Sequence, residues 1–257
     1  MRLRRLPRRL GYGEEATLVE HLDELRSRLI VSLLAVGLAF PITYYFHETL
    51  IEWLIRPLPD DREGDIVTLG VAEPFTTAVK VSFYAALAVA FPVLIWQAWS
   101  FFAPAVEEGR QRIVARFVAF ATILFVGGLA FAYFVILPPA LRFLTQFDEE
   151  LYRVDLRASY YLSFVTLLIF VTGLVFQLPI FVLALVRLGI LTSAQLRRNR
   201  KIGYVALLGG AILLPTVDPV SLALEVAPLW ILFELSIWAS VFMERRWRAE
   251  RRQLAPE

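Results

Sequence analysis

Six long apolar runs, divided by short charged loops, leave this chain one kind of fold: a bundle of helices that crosses a membrane. A helix spanning the hydrocarbon core needs about 20 apolar residues. The 257 residues carry such runs near 29–46, 79–103, 113–138, 160–186, 202–214 and 222–242. Hydrophobic residues make up 58% and charged residues 19%, an apolar excess foreign to a water-soluble domain. With no cysteine, the chain has no disulfide, thiolate metal site or cysteine nucleophile. The early arginines, from Arg2 to Arg9, are not followed by the compact apolar core and small-residue site of a cleavable signal, so the N-terminus is expected to be retained.

Six spans form one membrane domain with both termini on the same side. The four segments that share that side, 1–28, 107–116, 187–201 and the tail 243–257, hold 20 of the 26 lysines and arginines. The opposite loops, 47–78 and 139–159, are rich in carboxylates, among them Glu48, Asp61, Glu73 and Glu149. By the positive-inside rule the termini are cytoplasmic. The fifth run, IGYVALLGGAILL, has only 13 residues, or roughly 20 Å of helix against a core of roughly 30 Å. Either Leu191–Lys201 extends that helix, or the membrane thins, or protein shields its ends. Pro41, Pro92, Pro179 and Pro228 each remove a backbone donor inside a helical run and mark kinks, which predicts a bent-walled, concave bundle. The glycine pairs Gly127-Gly128 and Gly209-Gly210 suit close helix contact.

No phosphate-binding glycine loop, HExxH or GxSxG element is present, and no cofactor, metal or catalytic set is expected. Just before the first span, Leu18, Leu22, Leu25 and Leu29 form one stripe of an amphipathic helix, with Glu20, Asp23 and Glu24 on other faces. Glu24 has two readings: an ordinary partner of Arg28 one turn on, or a carboxylate presented to a basic ligand. Within the spans, Gln177, Glu225 and Glu234 are the deep polar residues, and polar groups at that depth face protein or water. Glu234, near the inner end, either does so or pairs with Arg245 or Arg246. A small-molecule transporter is the alternative reading, although no repeated halves are visible. An intramembrane enzyme would have to use Glu225 with Glu234, nine residues apart.

Several blocks in order, HLDELRSRLI, EPF at 73–75, WQAWSFFAPAV at 96–106, FAYFVILP at 131–138, SYYLSF at 159–164 and LLPTVDPVSLALEVAPLWILFELSIW at 213–238, together resemble the TatC family, the core of the twin-arginine protein translocase. The resemblance runs from about 18 to 242. It implies an all-α, cup-shaped receptor of six transmembrane helices, the fifth and sixth short, in the plasma or inner membrane. Such a receptor binds Arg-Arg signal peptides on the cytoplasmic side and, with TatA-like and TatB-like single-span partners and further copies of itself, exports folded proteins using the proton-motive force. It is not an enzyme. By this resemblance Glu24, Arg26, Phe101 and Pro104 contact the signal peptide, Asp218 is the acid of the last outer loop, and Pro57 and Tyr133 are structural.

Two departures stand out. The family's first cytoplasmic loop carries a glutamate where this chain has Arg110, and its fourth span often carries one where this chain has Gln177. Arg110 would repel a ligand arginine, so Glu107 or Glu108 is expected to supply the acid. On a helix from Pro104, a three-residue offset turns a side chain by about 300° and a two-residue offset by about 200°, which favours Glu107 and leaves Glu108 solvated or paired with Arg112. Gln177, with its short neighbouring span, is expected at the docking place of a single-span partner.

Overall fold

The computed structural model describes residues 18–59, 66–102, 111–147, 155–187, 189–212 and 219–254. The amphipathic stripe and the first apolar run form one helix, α1 (Leu18–Tyr45), because no breaker separates them. After it come α2 (His47–Ile55), the short strand β1 (Ile66–Val67) and α3 (Glu73–Phe102). The third apolar run is α4 (Gln111–Phe131), continued through a π turn at Ala132–Ile136 into α5 (Leu137–Gln146). Pro138 and Pro139 lack the N–H groups that the carbonyls four residues back would accept, and the widened turn lies where those bonds are missing.

The fourth run divides. Strand β2 (Leu156–Arg157) leads into α6 (Ala158–Val175), and the chain breaks at Phe176-Gln177 before α7 (Leu178–Arg187). Pro179 is the one proline of the four that interrupts a helix; Pro41, Pro92 and Pro228 lie inside unbroken ones. The short fifth run is α9 (Arg200–Ile212), preceded by α8 (Ser193–Arg198). Asn199 donates to the Gln195 carbonyl at 2.9 Å and its own carbonyl accepts from Gly203 at 3.1 Å, so it closes α8 and opens α9, its backbone at φ −102° and ψ 24° turning the chain between them. Of the polar stretch before the fifth run only Arg200 and Lys201 join its helix, and α8 is a separate one. The last apolar run, 222–242, lies inside the much longer α10 (Pro219–Leu254). Among the described residues five helical stretches are long and apolar enough to cross a membrane, and α9 is the short sixth member of the bundle.

Packing sets the register. Helix α1 lies antiparallel on α3, joined by Ala39, Ala86 and Ala90 and by the Thr43 hydroxyl, which donates to the Ser82 carbonyl at 2.8 Å. Helix α3 meets α4 through the stacked rings of Phe91 and Phe125, 3.9 Å apart, and meets α6 through Tyr84 and Phe170. Helices α4 and α6 touch backbone to backbone, since a Cβ on Gly128 would lie 2.9 Å from the Gly173 Cα. Helix α10 packs on α7 and carries α9 on its side, where a Cβ on Gly203 would lie 2.3 Å from the tip of Phe233. Of the glycine pairs, Gly128 makes its expected contact, with Gly173, whereas Gly127 and Gly209 face open space; Gly203 does the close packing elsewhere. The core centres on Ile136, Leu137, Val165 and Leu168. Outward rows such as Leu33, Leu34, Leu38 and Ile42 are exposed, as a lipid-facing surface requires.

Candidate functional site

The end of the bundle where α1 begins holds the Glu24 site. Arg28, one turn on, donates its Nε to Glu24 Oε1 at 3.0 Å and bonds to the same oxygen through Nη2. The local pairing therefore forms, but it occupies one oxygen only. Glu24 Oε2 is buried and accepts from no described group. A carboxylate that binds a guanidinium in a fork uses both oxygens, so half of its capacity remains open. Helical geometry brings Phe101 to the same level. Thr43 and Ser82 are in contact, and Glu24 and Phe101 lie nineteen residues from them along α1 and α3, about 28 Å in each case. Phe101 is half-buried, whereas Arg26 and the stripe residues Leu22, Leu25 and Leu29 are exposed. That stripe therefore lies outside the protein core.

The deep polar residues find partners across helices. Gln177, in the break between α6 and α7, donates Nε2 to the Ala121 carbonyl of α4 at 3.1 Å, while its Oε1 is buried without a described donor. Glu225, 2% exposed, lines a small cavity with Thr172, Val175, Phe176 and Pro228. Glu234 accepts from the Tyr204 hydroxyl and lies 3.5 Å from Arg200 Nη1. Its described partners thus come from α9, thirty and thirty-four residues away, rather than from Arg245 or Arg246, whose side chains lie outside the description. Glu225 and Glu234 consequently face different neighbours, which argues against a paired catalytic set.

Over residues 20–228 the chain matches the family described as Sec-independent protein translocase protein (TatC). The chain belongs to the TatC family. It is 34% identical to the Sec-independent protein translocase protein TatC of Carboxydothermus hydrogenoformans over 229 residues, covering 89% of this chain and 94% of that protein. Against TatCd of Bacillus subtilis the identity is also 34%, over 238 residues, with 92% and 97% covered. A crystal structure titled twin arginine translocase receptor TatC superposes with a TM-score of 0.76 at 33% identity, covering 86% of this chain and 99% of that one. As a TatC protein the chain is a membrane-embedded component of protein transport.

Other TatC positions singled out in the sequence are dispersed. Pro104, Glu107, Glu108, Arg110 and Asp218 lie outside the described residues. Pro57 opens the turn that sends Leu58 into the core, and the Tyr133 hydroxyl donates to the Trp53 carbonyl at 2.8 Å. Tyr161 does the same for the Leu54 carbonyl, so two hydroxyls satisfy carbonyls that α2 leaves open at its end.

Sequence reasoning missed Glu73. Counted there as one more outer-loop acid, it is a buried hub that accepts from the backbone of Leu69, Gly70 and Ser159 at 3.0–3.2 Å and from Arg157 Nε. The carboxylate holds the Arg157 guanidinium above its ordinary, already high, value. Beside it β1 and β2 pair in parallel, Ile66 with Leu156. The signal available was EPF itself: an acid placed before proline at a helix start, where anions are favoured.

Proposed function

We propose that this chain is the receptor core of a twin-arginine translocase, docking Arg-Arg signal peptides at its cytoplasmic end. The carrying observation is the open Oε2 of Glu24, level with Phe101, on a chain of the TatC family. One ligand guanidinium takes Glu24 in a fork, with Arg28 giving way; an ammonium cannot reproduce that geometry. Arg26 and Phe101 lie at the same end, Pro104 joins them in contacting the peptide, and Glu107 serves the second arginine in place of the family's loop acid. The apolar part of the peptide then lies on the concave wall, where burial contributes about 25 cal/mol per Å².

Both termini are cytoplasmic in this reading, and TatA-like and TatB-like single-span partners dock on the side of Gln177, Glu225 and Glu234, with Asp218 in the adjoining outer loop. Folded cargo is exported at the expense of the proton-motive force. The test is crosslinking of an Arg-Arg peptide and its Lys-Lys version to membranes carrying the chain or its Glu24→Ala or Glu24→Asp variants. Binding should vanish in Glu24→Ala and persist in part in Glu24→Asp; undiminished crosslinking to Glu24→Ala would remove this residue from the site.

A further inference from the structure

Three cations at the inner end of α8 and α9 have no partner among the described residues. Arg197, Arg198 and Lys201 are exposed and make no hydrogen bond or ion pair there, whereas the intervening Arg200 faces Glu234. They differ from the charges of a solvated loop because the segment that carries them is anchored to α10 at Glu244 and Glu234. Arg197 and Arg198 end α8 and Lys201 lies in the first turn of α9, on either side of the corner at Asn199. Ile202 and Val205, both exposed apolar residues, follow on α9, so charge gives way to hydrocarbon along the segment.

The depth of this cluster follows from the antiparallel packing of α9 on α10. Tyr204 meets Trp230, Arg200 meets Glu234, and the Ser193 N–H donates to Glu244 at 3.1 Å. Trp238, exposed on α10, therefore stands level with the cations. Tryptophan at that position marks the headgroup layer. The apolar part of α9 below the cations, Ile202 to Ile212, is roughly 16 Å long, too short to hold them beyond that layer.

We propose that Arg197, Arg198 and Lys201 bind the headgroup of an anionic phospholipid whose chains lie along the Ile202–Val205 face of α9. Guanidinium forks and an ammonium gathered at one anchored corner suit a phosphodiester, and basic sites on the cytoplasmic side of membrane helices select acidic lipids. A zwitterionic lipid satisfies the site less well, because its own cation meets three others.

The test uses the full chain in nanodiscs of equal parts phosphatidylglycerol and phosphatidylcholine, extracted gently, with retained lipid measured by mass spectrometry. The chain should retain phosphatidylglycerol preferentially. Each single variant, Arg197→Gln, Arg198→Gln or Lys201→Gln, should lower that preference by roughly fivefold, and the triple variant should abolish it. A charge-matched triple variant at the opposite end, Arg56→Gln, Lys80→Gln and Arg142→Gln, should keep it. A preference that survives the first triple variant, or falls equally in the second, overturns the proposal; no acidic protein is present to account for either result.

Discussion

Arg157 Nε donates to both carboxylate oxygens of Glu73, at 3.0 and 3.1 Å, across 84 residues of sequence. This contact ties the start of α3 to the start of α6 and holds β1 against β2. Glu73→Gln keeps the size and loses the charge that four donors face. It should lower the melting temperature in detergent by several degrees, and Glu73→Ala by more, as read by tryptophan fluorescence. Signal-peptide binding at the far end of α3 should be unchanged in the Gln variant.

The Arg28 contact with Glu24 is a half-buried pair one turn apart, of a kind worth about 0.2–0.5 kcal/mol on a helix surface. Replacing Arg28 with Gln should therefore leave peptide affinity within about twofold of the parent, and fluorescence anisotropy with a labelled Arg-Arg peptide measures it. A large loss would mean that Arg28, rather than the open oxygen, organises the site.

Two glycine contacts differ in what they meet. A Cβ on Gly128 runs into the backbone of Gly173, while one on Gly203 meets the far end of the Phe233 ring. Gly128→Ala should cost about 1–3 kcal/mol, whereas Gly203→Ala should cost less, because the ring can swing aside, and should be relieved by Phe233→Leu. Gly127→Ala and Gly209→Ala face open space and should be neutral. Thermal unfolding of the five variants tests this order.

The placement of 20 of 26 basic residues makes a labelling prediction. Single cysteines at Arg8, Arg110, Arg198 and Arg251 should be shielded from an impermeant outside reagent, and those at Asp61 and Glu149 labelled. Outside labelling at Arg198 would overturn the six-span topology.

Gln177 offers a buried, unused Oε1 beside the broken helix. Gln177→Leu removes that acceptor and should weaken crosslinking to a single-span partner several-fold while leaving signal-peptide binding intact. Equal loss of both would assign Gln177 to the packing of α6 against α4.

What the sequence by itself determined follows from short-range rules. Apolar length located the six runs, and one-turn spacing foresaw the Glu24–Arg28 pair. The thirteen-residue fifth run was legible as too short, because length is a property of the run alone. Only tertiary structure decided which polar groups share a partner. Glu73 finds Arg157, and Glu234 finds Tyr204 rather than a neighbour on its own helix, because antiparallel and parallel packing bring distant turns to one level. The same is true of Gly203, whose value lies in the ring of Phe233. Burying charge in a bilayer is costly unless it is paired, and pairing depends on helix register, which no local pattern in the chain encodes.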